Sequence, residues 1–153
     1  MNKAAAQRYA KTKVFTATPE QLQLMLYDGG LRFAEMARVA LLEKNYEQSF
    51  KNISRVQRIV MELTSTLRHD IAPEICKNLA AIYAFVYRRL TEANCQRKTE
   101  PLDEAIRLLK YQRQTWVLLM DKTGKQKAAQ AASQIRDLPP PDQHMETTIS
   151  LQG

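Results

Sequence analysis

The sequence is poor in the residues that build reactive centres and sharp turns. It holds two histidines, two cysteines, four glycines and one tryptophan among 153 residues. His69 falls at a helix junction and His144 in the C-terminal tail, so neither is placed to act with a paired nucleophile. Cys76 and Cys95 fall on one predicted helix, nineteen positions apart. That is roughly 28 Å at 1.5 Å per residue, too far for a disulfide within one chain. No cysteine or histidine cluster has zinc spacing, no glycine-rich phosphate loop is present, and no Glu-x-x-His pair of the di-iron type occurs. Acids at helical spacing, such as Asp28 with Glu35 or Asp103 with Glu104, adjoin basic residues and read as solvated surface. Catalysis, a cofactor and a bound metal are therefore not expected. No segment approaches the apolar length of a membrane span and the N-terminal stretch has no apolar leader core, so a cytoplasmic protein without stable membrane insertion is expected.

What remains is a helix-former's composition. Residues are 44% hydrophobic, with Ala, Leu, Gln, Lys, Arg and Glu plentiful, which favours an all-α chain with a single core. The net charge of +7 and pI near 9.5 would suit a nucleic-acid or membrane surface. The distribution favours a solvated exterior instead: Lys3, Arg8, Lys11 and Lys13 form an acid-free arm, whereas later bases are interleaved with acids. A nucleic-acid partner is not expected, and steep salt dependence would be its signature.

The chain divides into an arm over residues 1–17, a helical bundle over 18–124, a segment over 125–138 that can form a short fifth helix, and a disordered tail over 139–153. The arm shows no sustained period, and it can dock only through Tyr9, Val14 and Phe15. Thr18 opens the first bundle helix: Pro19 suits its first position and Gln21 completes a capping box. Leu22, Leu26, Gly29, Phe33, Met36 and Ala40 form one stripe, and Leu24, Tyr27, Leu31 and Ala34 a second, nearly opposite. Asn45 with Gln48 caps the next helix, whose expected buried face is Tyr46, Phe50, Ile53, Val56, Val60, Leu63 and Leu67. A third helix follows Pro73, with Ile75, Leu79, Ile82, Val86, Leu90 and Ala93 inward and Phe85 on a shoulder. The fourth starts near Leu102 and is expected to extend to about Met120, with Asp121-Lys122-Thr123-Gly124 as its end and Gly124 in the left-handed closing position. Short connections make the helices antiparallel neighbours, so the fold expected is an antiparallel four-helix bundle.

Several of these helices carry more apolar surface than one bundle seam hides, and that surplus suits an apolar partner or the arm. Specific strings point the same way. Thr16-Ala17-Thr18-Pro19-Glu20-Gln21-Leu22 followed by Leu24-Met25-Leu26-Tyr27-Asp28-Gly29 resembles the opening signature of the flagellar export chaperone family FliS. Ile71-Ala72-Pro73-Glu74-Ile75, Tyr87-Arg88-Arg89-Leu90, Pro101-Leu102-Asp103-Glu104-Ala105 and Arg113-Gln114-Thr115-Trp116 extend the likeness. Gly30 stands where the family usually has alanine, Ala84 where aspartate is commoner, and the tail is longer.

The resemblance implies a cytoplasmic chaperone that holds the disordered C-terminal segment of flagellin, prevents premature polymerisation and, when loaded, docks on the cytoplasmic domain of the export-gate protein FlhA. It implies that Tyr9 takes part in docking, and that the arm lies over part of the client groove in the free protein. The groove is expected at Ile82, Phe85, Val86 and Arg89 on the third bundle helix and at Ile106, Leu109, Arg113 and Trp116 on the fourth. Leu24, Tyr27 and Leu31 are expected to receive Val14 and Phe15 of the arm, or a second client stretch.

Overall fold

The computed structural model describes residues 3–137. It contains α1 (Lys3–Thr16), α2 (Pro19–Leu42), α3 (Tyr46–Ser65), α4 (Pro73–Gln96) and α5 (Thr99–Arg136), with no strand among the described residues. The described residues divide into two units, one up to Leu118 and one from Leu119. In the first, α2 to α4 and the leading part of α5 share one core. In the second, the rest of α5 has exposed residues almost throughout. The expected tail over 139–153 lies outside the described residues.

Local chemistry sets the helix ends. Thr18 Oγ1 accepts from the Gln21 amide at 3.1 Å while Gln21 Oε1 accepts from the Thr18 amide at 3.0 Å, closing the expected capping box. The turn into α3 is made by Lys44 at φ 58°, after which Asn45 Oδ1 accepts from the Gln48 amide. Arg97 closes α4 at φ 54°, and its guanidinium stacks 4.3 Å from the Tyr46 ring centre. Pro73 takes the first position of α4. Gly124, in contrast, lies inside α5. Without a left-handed backbone there, the expected stop does not occur and the Ala- and Gln-rich run continues the same helix.

Cross-helix contacts give each pairing its direction. Thr66 donates to Gln23 across α2 and α3, and Gly30 faces Ile59. Gln57 donates to Thr91 Oγ1 at 2.9 Å across α3 and α4. Arg89 pairs with Glu104 at 2.7 Å across α4 and α5. Along α2 and α5, Arg38 meets Asp103 at 2.8 Å, Arg113 meets Asp28 at 2.5 Å and Trp116 Nε1 donates to the Glu20 carbonyl at 3.0 Å. From α2 onward consecutive helices run antiparallel, as the short connections require, and α5 runs antiparallel to α2 as well.

The core is built from Ala34 and Ala37, Ile53, Val56, Val60 and Leu63, Tyr83, Val86 and Leu90, and Leu102, Ala105 and Leu109. Each fully buried Leu, Ile or Val contributes about 1.5–3 kcal/mol. On α2 the second apolar set, with Tyr27 and Ala34, faces this core, whereas Leu22 and Met36 of the longer stripe are exposed. Phe50 and Ile75, expected inside, are exposed as well. Ser49 occupies the inward place beside Phe50 and donates to the Tyr46 carbonyl, and Cys76 turns inward beside Ile75 in the first turn of α4.

Candidate functional site

Helix α4 stands between two hollows. On one side, Met61 and Thr64 of α3 face Ala80, Ala84, Tyr87 and Arg88 across a space of about 550 Å³. On the other, Ile82 and Phe85 face Glu104, Arg107 and Leu108 of α5 across about 450 Å³. Ala81 lines both. Alanines at 80, 81 and 84 keep the ridge between the hollows low, while Tyr87, Phe85 and Met61 supply apolar walls. Arg88 stands at the first hollow and Arg107 at the second, and neither has an ion-pair partner among the described residues. Each hollow is open, apolar and edged by a cation, so it suits an amphipathic segment and not a small polar substrate.

The residues expected to form a groove divide between this surface and the core. Ile82 and Phe85 line the α4/α5 hollow, with Phe85 36% exposed. Val86, Ile106 and Leu109 do not: each is buried among the bundle seams, because their phase on α4 and α5 points them at the central axis. Leu108 and Arg107, one and two positions from Leu109, take the outward place. Arg89 bridges Glu92 and Glu104 and ties α4 to α5. Arg113 is held by Asp28.

Trp116 lines a third hollow, about 470 Å³, with Leu22, Leu26, Leu67 and Leu79 around the start of α2. Below it the Tyr27 hydroxyl meets that of Tyr83 at 2.5 Å. Burial pushes both phenols above their ordinary range. Tyr27 is thus a core residue and does not receive the arm, and Leu31 packs half-buried against the same core. Leu24 is half-buried on α2.

The arm differs most from expectation. It is a helix, and none of its residues is buried: Tyr9, Val14 and Phe15 are all exposed, Phe15 by 86%. It therefore covers neither α4 hollow. The α3/α4 hollow was missed in the sequence. Its signal was the cluster of alanines on one face of α4, together with Met61 out of phase with the buried stripe of α3.

The profile of the family described as Flagellar protein FliS matches residues 1–123. The chain belongs to the FliS family. Among FliS relatives, the flagellar secretion chaperone FliS of Bacillus subtilis is 38% identical over 96 residues, covering 63% of this chain and 71% of the relative. That of Campylobacter jejuni is 29% identical over 115 residues, covering 75% and 90%. The Salmonella typhimurium protein is 28% identical over 127 residues, covering 82% and 94%. These FliS proteins are named as chaperones, a non-enzymatic class. No helix among the described residues is long and apolar enough to cross a membrane.

Proposed function

We propose that the chain is a cytoplasmic flagellar export chaperone that holds the disordered C-terminal region of flagellin against α4, prevents its premature polymerisation and delivers it to the export gate. The observation that carries this reading is the pair of apolar hollows flanking a low alanine ridge on α4, in a member of the FliS family. A disordered client that folds on binding can lay successive apolar faces into both hollows, and its ordering cost is offset by the large surface it covers. Arg88 and Arg107 at the edges suit carboxylates flanking the client's apolar anchors. Once loaded, the chaperone presents its exposed arm, with Tyr9, to the cytoplasmic domain of FlhA.

Calorimetric titration of the chain with the C-terminal segment of flagellin tests the reading. Affinity should change little between about 50 and 200 mM salt, because apolar burial supplies most of it. An absence of binding, or a loss of orders of magnitude over that range, would refute it.

A further inference from the structure

A fourth hollow, of about 440 Å³, lies where the end of α2 meets the start of α3, and no α4 residue lines it. The buried Ala40 and Asn52 line it, and the exposed Met36 and Val39 give it apolar walls that the bundle core leaves uncovered. Its only charged lining residues are acids, Glu35 and Glu43. Lys110 reaches Glu35 at 3.8 Å, whereas Glu43 has no ion-pair partner among the described residues.

One turn back along the same face the charge reverses. Phe33 precedes Met36 by one turn, and two guanidinium groups stack on its ring, Arg32 at 5.1 Å and Arg55 at 5.2 Å from the centre. Arg55 also donates to the Asn52 side chain at 3.5 Å, which ties it to the edge of the hollow. Neither arginine has an ion-pair partner among the described residues. Two guanidiniums held against one ring, each short of a counter-charge, favour a carboxylate beside them. From Arg32 to Glu43 is eleven positions, roughly 17 Å along α2. Over three helical turns the face therefore runs from cationic through apolar to anionic.

Neither occupant that this chain could supply matches that order. Helix α1 carries Lys3, Arg8, Lys11 and Lys13 with no acid, so it would set like charges against Arg32 and Arg55. The same face of a second copy is hollow where this one is hollow, so two copies set together would fill neither. A matching surface projects an apolar anchor at its middle and carries opposite charges at its two ends.

We propose that this α2/α3 face docks a three-turn amphipathic helix of a different protein, with carboxylates beside Arg32 and Arg55, an apolar anchor against Met36 and Val39, and amines beside Glu43. The docked helix leaves both α4 hollows free, so the inference stands apart from the reading of α4 as the client surface.

Fluorescence anisotropy with three labelled helical peptides tests this on the full chain. All three share leucines on one face; one has Glu in its first turn and Lys in its last, one has Lys at both ends and one has Glu at both. The wild type should bind the mixed peptide about tenfold or more tighter than either of the others. Arg55→Glu, which leaves acids at both ends of the face, should switch the preference to the Lys-ended peptide, and Glu43→Lys should switch it to the Glu-ended one. Both positions are exposed, and circular dichroism checks that helicity is retained. Loss of the fold would weaken all three peptides alike and could not exchange their order. A wild type that binds no peptide or ranks the three equally, or folded variants that keep the wild-type preference, would overturn the proposal. Displacement of the mixed peptide by the flagellin segment would give the face to the client, and peptide binding that splits a self-associated wild type would give it to a second copy; either result overturns it too.

Discussion

The Tyr27 and Tyr83 hydroxyls share one hydrogen bond of 2.5 Å, joining α2 to α4 inside the bundle. Tyr27→Phe strands the Tyr83 hydroxyl and Tyr83→Phe strands that of Tyr27, so each should cost about 1–3 kcal/mol. The double variant should cost less than the sum, because no buried hydroxyl remains unpaired. Both folded pKa values lie above the ordinary 10.0, so stability is fully present below that pH and falls as pH rises from about 10 toward the raised values. The loss is at most about 1.4 kcal/mol per pH unit for each group. Urea midpoints across pH 8 to 11 for the wild type and the double Phe variant check this, and equal alkaline slopes would contradict it.

Glycines 29 and 30 face Ile59 at different distances. A Cβ at Gly29 would meet Ile59 Cδ1 at 3.6 Å, an ordinary contact, while one at Gly30 would meet Ile59 Cγ2 at 3.3 Å. Alanine gains about 1 kcal/mol of helix propensity at either site. Gly29→Ala should therefore raise Tm by about 2–4 °C, and Gly30→Ala by less, since Ile59 must shift. A scanning calorimetry ranking in the opposite order would contradict this packing.

The arm buries none of its residues, so it does not compete for the α4 hollows. Deleting residues 1–16 should leave the affinity for the flagellin segment within about twofold of the full chain, since removing a lid matters only when the lid is bound. A clear rise in affinity on deletion would show that Val14 and Phe15 cover the groove after all.

Capping and turn chemistry made the boundaries of α2, α3 and α4 legible, because Thr18, Asn45 and Pro73 act through neighbours a few residues away. Periodicity also showed which residues share a face. It could not show how many neighbours cover that face. On α2 the core side is the set with Tyr27 and Ala34, and the longer stripe with Met36 turns partly outward, which depends on where α3 and α5 lie. The same limit put Val86, Ile106 and Leu109 in the groove when a step of one or two positions, to Phe85 and Leu108, separates core from hollow. Gly124 misled because glycine ends a helix only where the backbone turns left-handed. Met61 and the alanines of α4 make a hollow only jointly, across helices distant in sequence.

The most direct test puts bulk and charge on the ridge between the α4 hollows. Ala81 is exposed and lines both, and arginine is a good helix former, so Ala81→Arg should leave Tm within about 2 °C of the wild type. Phe85→Asp removes an apolar wall from the second hollow only. In titrations with the flagellin segment, Ala81→Arg should weaken binding by about tenfold or more, and Phe85→Asp should weaken it with the fold intact. Wild-type affinity in both folded variants would contradict the assignment of α4 as the client-holding surface.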